Sequence, residues 1–212
     1  MKIKGFQDTI NWYNKNAKKY DTESVQNVKP IEQIDEFIKL IPKDSKVLDA
    51  GCGPGRDTKL ITDRGVSVMG IDLSTELIKI ARKKYPNIKF IVGNFLNLPF
   101  PIDHFGGVWA HASLIHFETV EDVVKALKEF YRVLTPGGIL HLFVREKTAN
   151  KKFDIVSDVL SKYNRLFQYF TKEEIEDYLK KVGFKVTKLV ECYDPAGRSD
   201  VKWILSLARK EI

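Results

Sequence analysis

Three groups of residues in this 212-residue chain are of types that bind ligands or move protons. The first is the run Val47-Leu48-Asp49-Ala50-Gly51-Cys52-Gly53-Pro54-Gly55-Arg56-Asp57-Thr58. Its glycines carry no Cβ, so the backbone can pass close beneath a ligand. The second is Asp72, seventeen residues beyond Gly55 at the end of the next apolar run. A carboxylate placed there can accept both hydroxyls of a ribose. The third is the pair His111 and His116 in WAHASLIHF (109–117). Imidazole titrates near neutral pH, which makes both candidate bases, with packing or ligand positioning as the other reading. Five residues is poor spacing for two metal ligands on one helix face, so no metal centre is expected.

The glycine run is not a dinucleotide fingerprint, because Arg56 stands where the third small residue of G-x-G-x-x-G belongs. No G-K-[ST] follows, which excludes a phosphate-binding P-loop. With two cysteines there is no disulfide framework, and Cys52 inside the run reads as a small buried residue instead of a nucleophile.

These groups must be positioned by the elements between them. KVLDA (46–50), VSVMGID (66–72), IKFIVG (88–93), FGGVWAHA (105–112) and GILHLFVRE (138–146) read as strands alternating with helices. That rhythm predicts a parallel sheet covered on both faces. Pro30 opens the helix IEQIDEFIKLI, Ser74 caps TELIKIARKKY, and Pro136-Gly137-Gly138 closes VEDVVKALKEFYRVL. After residue 146 the rhythm breaks: 147–170 reads as irregular or helical, and Thr171 caps EEIEDYLKKV before Gly183. FKVTKLVEC and VKWILSLAR then predict an antiparallel hairpin at the sheet edge.

Composition allows one domain of about 150–200 residues that buries roughly 70% of its unfolded surface. At 43% hydrophobic and 30% charged residues the chain is of ordinary globular make-up. No apolar run reaches the roughly 18 residues of a membrane helix, and MKIKGFQDTINWYNKN lacks a signal-peptide core, so a cytoplasmic protein is expected. The net charge of +7 has its most basic stretch at 147–190, with ten Lys and Arg against six acids. Interleaved as in KEEIEDYLKK, such charges read either as a solvated helix face or as a surface for a phosphate-bearing partner.

The run VLDAGCGPGRDT resembles the first motif of the class I S-adenosylmethionine-dependent methyltransferases, in their small-domain, type 11-like branch. GIDLS (70–74), GNFLNLPFP (93–101), WAHASLIHF and LTPGGIL (134–140) continue the resemblance, which covers roughly residues 28–209. It implies an α/β, doubly wound, Rossmann-like seven-stranded sheet of order 3-2-1-4-5-7-6 with strand 7 antiparallel. Within a single domain, 1–29 would be an N-terminal lid, 30–146 the cofactor-binding core, 147–170 a substrate cover, and 171–212 a helix plus hairpin. S-adenosyl-L-methionine would be the cofactor. Gly51, Gly53 and Gly55 would pass under its methionine and ribose, Asp72 would hold the ribose hydroxyls, and Leu73, Asn94 and Phe95 would meet the adenine. Asp49, Cys52 and Ala110 would complete the lining, with Tyr20 over the methionine end. Family members usually carry Asp where this chain has Asn94, whose oxygen can still accept a hydrogen bond.

The acceptor is less legible. The fourth strand lacks the Asn/Asp-Pro-Pro-Tyr/Phe motif of amino-group base methyltransferases and has no Pro-Cys pair, so nucleic-acid bases are not the expected target. Tyr13 and Tyr20, seven apart, share a helical face and could lie against a sulfonium. By resemblance Arg145, Arg165, Tyr169 and Arg198 end near the same rim, which would suit an anionic small molecule. Arg198 and Trp203 could instead pair within the hairpin. The reading is methyl transfer to an O, N or C centre of a small molecule. RNA or protein methylation remains an alternative, as do a nucleotide-binding oxidoreductase and a non-catalytic cofactor-binding protein. Oligomeric state is not encoded in any motif.

Overall fold

The structure is a computed structural model that describes residues 5–24, 31–147, 152–158, 163–194 and 201–211. Its strands are β1 (Lys46–Ala50), β2 (Ser67–Asp72), β3 (Lys89–Val92), β4 (Phe105–His111), β5 (Leu134–Arg145), β6 (Phe153–Asp158), β7 (Tyr163–Gln168), β8 (Phe184–Tyr193) and β9 (Lys202–Lys210). The helices are α1 (Gly5–Lys19), α2 (Ile31–Leu40), α3 (Arg56–Thr62), α4 (Thr75–Lys84), α5 (Val120–Val133) and α6 (Lys172–Val182).

Seven strands form one sheet in the order β3-β2-β1-β4-β5-β9-β8. The first five are parallel, and β9 runs antiparallel to both neighbours. With β8 and β9 as the sixth and seventh strands of the sheet, this is the order the resemblance implies. Successive β1 residues point to opposite faces. Val47 joins Ile34, Phe37 and Ile61 under α2 and α3, while Leu48 and Ala50 join Val123, Leu127, Phe130 and Ile175 under α5 and α6. Ser74 and Thr171 cap their helices as expected, Thr171 in a capping box with Glu174. Gly183 ends α6 at φ 107°, the left-handed region where glycine is favoured. Pro136-Gly137-Gly138 does not close α5, which ends at Val133; all three residues already belong to β5.

Segment 147–170 departs from expectation. It holds a two-stranded antiparallel sheet, β6 and β7, with Ile155 opposite Leu166 and Val156 opposite Arg165. Aromatic and β-branched residues in Phe153-Asp154-Ile155-Val156 and Tyr163-Asn164-Arg165-Leu166-Phe167 suit a pleated, half-buried ribbon. The periodicity is too short to advertise it.

The N-terminal segment lies against this hairpin. The Leu166 amide donates to Thr9 Oγ1 at 2.8 Å, and the Phe6 amide donates to Glu118 Oε1 at 2.6 Å. At its other end α1 is tied to α4: Ser74 Oγ donates to Asn14 Oδ1 at 2.8 Å, and Lys84 pairs with Asp21. The chain continues from α1 through a π turn at Tyr20–Ser24. Among the described residues no helix is long and apolar enough to cross a membrane.

The far edge of the core is closed by Lys210, whose ammonium donates to the Leu134 and Tyr131 carbonyls at 2.7 and 3.0 Å and pairs with Asp103. Lys210→Met leaves two carbonyls without this donor. It should therefore cost about 2 kcal/mol in urea unfolding with an unchanged m-value; an unaltered midpoint would show that water replaces the ammonium.

Candidate active site

At the carboxyl ends of β1, β2 and β4 the strand order reverses, and there an open α/β sheet presents its crevice. A cavity of about 290 Å³ occupies it. The turn after β1 forms its base. The Gly51 and Cys52 amides both donate to the Ile71 carbonyl, at 2.8 and 3.1 Å, which ties this turn to the end of β2. The Gly53 amide donates to Asp72 Oδ2 at 3.0 Å, and the Ser74 amide donates to Asp72 Oδ1 at 2.8 Å. Asp72 is thereby fixed in orientation, and each oxygen keeps acceptor capacity for a ligand hydroxyl. Burial nonetheless raises its pKa against the pull of these amides.

Beneath the turn lies a buried polar cluster. Asp49 accepts from Thr58 Oγ1 at 2.5 Å, and Asp57 accepts from Arg56 and, at 3.0 Å, from Trp109 Nε1. Burial, with the neighbouring Asp57 charge, pushes the Asp49 carboxyl up to about 8. Burial works to raise Asp57 too, but the Arg56 guanidinium beside it overrides and holds it below the usual carboxylate range.

One wall is a ladder of parallel rings across β9, β5 and β4. Trp203 stacks on Phe143 at 4.8 Å, Phe143 on His111 at 4.4 Å, and His111 on Trp109 at 5.5 Å, with interplanar angles of 11° or less. Strand register sets it, because His111 lies opposite Phe143 and Trp109 opposite His141. Beyond β4 the chain turns sharply at Ala112, a non-glycine residue at φ 57°, which costs roughly 1–2 kcal/mol and sits where strain is commonly kept. This turn presses Ser113 against Gly51, whose missing Cβ would lie 2.3 Å from Ser113 Cβ. The lid side is α1, from which Tyr13 meets Tyr20 edge-on at 5.0 Å.

Of the residues selected from sequence, Tyr13, Tyr20, Asp49, Gly51, Cys52, Gly53, Asp72, Leu73, Phe95, His111 and His116 line the cavity. Gly55, Asn94 and Ala110 do not. Gly55 is glycine for another reason: at φ 86° a Cβ would lie 2.8 Å from Phe90. The Asn94 Oδ1 accepts from the Leu96 amide at 2.9 Å, and Ala110 is buried in the core. Arg145, Arg165 and Tyr169 stand behind the lining. The Arg145 guanidinium lies over Phe167, Tyr169 and Trp203, and that of Arg165 lies 3.9 Å from the Trp12 ring. Arg198 lies outside the described residues, and Trp203 Nε1 donates to Asp194 at 2.8 Å. Sequence reasoning missed Arg56, Asp57, Ser113, Phe143, Asp194 and Trp203, all of which line the cavity. Arg56 and Asp57 stood inside the glycine run, and Phe143 in a strand with His141 two residues earlier. Nothing marked Asp194.

The cavity fits S-adenosylmethionine. Its described lining carries four carboxyl groups, of which burial keeps that of Asp49 protonated at neutral pH, against the single cation Arg56, a balance that still suits a ligand bearing a sulfonium and an ammonium. Two buried lining atoms, His111 Nδ1 and Ser113 Oγ, have no hydrogen-bond partner among the described residues and await one from a ligand.

Both cavity histidines are neutral. Burial holds His111 and His116 down to about 4. Between the ordinary value of 6.5 and about 4 the unfolded chain binds protons that these rings refuse, so each subtracts stability as pH falls. Asp49 acts in the opposite sense, losing stability as pH rises toward 8. Ring-nitrogen NMR should show both histidines neutral at pH 6; a midpoint near 6.5 in either would refute its burial.

A second expectation concerns the turn. Gly51→Ala meets Ser113 at φ 86° and should cost about 2–4 kcal/mol in urea unfolding. Gly53→Ala, with nothing nearer than Tyr20 at 3.9 Å, should cost only about 1–2. Equal losses would mean that close approach is not what Gly51 serves.

A sequence profile described as a methyltransferase domain matches residues 48–142. Demethylmenaquinone methyltransferase of Chlorobaculum parvum is 33% identical over 164 residues, covering 68% of this chain and 67% of that protein. "O-methyltransferase rstn1" of Aspergillus nomiae is 29% identical over 192 residues, covering 84% and 81%. Among solved structures, the Burkholderia thailandensis 1,6-didemethyltoxoflavin-N1-methyltransferase, determined with 1,6-didemethyltoxoflavin and S-adenosylhomocysteine, superposes with a TM-score of 0.74. It is 20% identical, over 98% of this chain and 88% of that one. The sheet order, the turn after β1 and these matches leave no place for the oxidoreductase alternative: the chain belongs to the class I S-adenosylmethionine-dependent methyltransferases.

Proposed function

We propose that the enzyme methylates a small, largely apolar acceptor held between α1, the turn after β4 and the ring ladder. The observation that carries this is the closure of the cavity: Phe6, Thr9, Ile10 and Tyr13 of α1 cover it, while Phe143 and Trp203 wall it. A base in a folded RNA or a side chain on a protein would have to displace that lid. The relatives support the same reading, since two are named for small acceptors, demethylmenaquinone and 1,6-didemethyltoxoflavin. The basic 147–190 stretch gives little support to a nucleic-acid partner. Lys172 pairs with Glu191, Lys180 with Glu176, Lys181 with Asp177 and Lys188 with Glu36. An anionic acceptor is also disfavoured, because the described lining is acidic and neither Arg145 nor Arg165 belongs to it.

The cofactor supplies an activated methyl group on sulfur. In this reading Asp72 takes the ribose hydroxyls, and Gly51 and Gly53 let the backbone pass under the methionine and ribose. Leu73 and Phe95 meet the adenine. Tyr13 and Tyr20 offer ring faces and edges to the sulfonium region. The chain's catalytic work is alignment and water exclusion, for which α1 is the closing element.

Calorimetric titration with S-adenosylhomocysteine tests the core of this. Asp72→Ala should weaken binding about 100-fold, near 2.7 kcal/mol, with the melting temperature lowered by no more than the loss of its hydrogen bonds from the Gly53 and Ser74 amides explains. Unaltered affinity would remove Asp72 from the site.

A further inference from the structure

We propose that Tyr13 and His116 form a proton relay on the acceptor wall, and that the atom methylated is a hydroxyl oxygen; this rests on the small-molecule reading above.

The direction of the relay follows from donor and acceptor chemistry. The His116 Nδ1 lies 2.7 Å from the Leu166 carbonyl oxygen, which can only accept, so Nδ1 carries the proton. The Nε2 of the neutral ring is then an acceptor, and the Tyr13 hydroxyl, 3.0 Å away, donates to it. Tyr13 Oη keeps a lone pair for an incoming donor, and both side chains line the cavity. The residue that anchors the far end is also held through the preceding peptide, since the Leu166 amide donates to Thr9 Oγ1. Burial, with Tyr20 beside it, raises the Tyr13 pKa against the pull of the Arg165 guanidinium, so the hydroxyl gives up its proton only as it receives one. His111 has no comparable chain: its Nδ1 has no partner among the described residues.

The step balances. The acceptor oxygen donates a lone pair to the methyl carbon, and the electron pair of the broken carbon–sulfur bond stays on sulfur. The oxygen's proton passes to Tyr13 Oη as the Tyr13 proton passes to His116 Nε2. Positive charge leaves sulfur and arrives on an imidazolium whose Nδ1–H remains on Leu166, so the cavity's charge is conserved. Tyr13 is the catalytic residue; His116 acts through it as a positioning residue. Oxygen is singled out because the hydrogen-bonded relay serves an acceptor whose proton must leave on methylation, as a hydroxyl's does, whereas a methylated amine stays as an ammonium; burial, which keeps His116 near 4, agrees with this. So weak a base accepts a proton from an alkylated hydroxyl, a strong acid, but not from an alkylated amine.

The test combines spectroscopy with product analysis. In the S-adenosylhomocysteine complex, ring-nitrogen NMR should show His116 as the Nδ1–H tautomer, and Tyr13→Phe should shift Nε2 toward its unbonded value. The Nε2–H tautomer, or an unmoved signal, overturns the relay. Incubating the wild-type enzyme with S-adenosylmethionine carrying a carbon-13 methyl group and a low-molecular-mass cell extract should place the label on oxygen. Incorporation should fall about 100-fold in Tyr13→Phe and in His116→Gln, with S-adenosylhomocysteine affinity within about twofold of wild type. Label on nitrogen or carbon, or undiminished incorporation in Tyr13→Phe, overturns the assignment. No incorporation by a wild-type protein that binds S-adenosylhomocysteine counts instead against the small-molecule reading, and the NMR result still decides the relay.

Discussion

The turns after β1 and β4 must touch, and only a residue without a side chain at position 51 permits it. A Cβ there would lie 2.3 Å from Ser113 Cβ, well inside any real contact. From that approach the rest follows. It places the Gly51 and Cys52 amides on the Ile71 carbonyl, brings Gly53 onto Asp72, and sets Ser113 and His111 on the same cavity as the Asp72 carboxylate. The sheet supplies the divergence of β1 and β4, and the glycine lets the divergence close into a pocket of ligand size.

The electrostatics of the pocket are those of a receptor for a cation. Asp49, Asp57 and Asp72 share a small volume, and their mutual repulsion is eased by Arg56, Thr58, Trp109 and two backbone amides. Burial then divides the titratable groups, raising the Asp49 carboxyl while lowering both imidazoles. A positively charged ligand relieves the carboxylates and leaves the histidines neutral. Proton transfer is therefore confined to whatever the acceptor brings and whatever the lid residues receive.

Much of this was legible in the sequence because the parallel core obeys local rules. Apolar runs of four to seven residues, a capping serine and threonine, and the Gly55-to-Asp72 spacing all act over short distances and pointed to the strand–helix alternation and to Asp72, while the sheet order and most of the cofactor side of the cavity came from the family resemblance. The hairpin at 147–170 was not legible, since six-residue strands with a half-exposed face carry too little periodicity to separate from irregular chain. Asn94 illustrates a different limit. Expected at the adenine, its Oδ1 instead accepts from the Leu96 amide, a choice made by local turn geometry. Phe143 and Trp203 reach the cavity only through strand register between β5 and β9, which no linear spacing reveals, and Asp194, just past β8, is held there by the Trp203 indole N–H.

The main chain of Leu166 is gripped on both sides of its Cα, its amide by Thr9 and its carbonyl by His116, and neither contact involves the leucine side chain. Lid, hairpin and post-β4 turn thus share a fastening that reads only main chain. With Arg165 of β7 packed on Trp12, it is the exposed side chains of β6, Phe153, Ile155 and Val156, that are released from the duty of holding the enclosure together. Evolution can rewrite them to suit a new acceptor without having to reinvent closure, which gives a fold of one chemistry a means of changing its clientele.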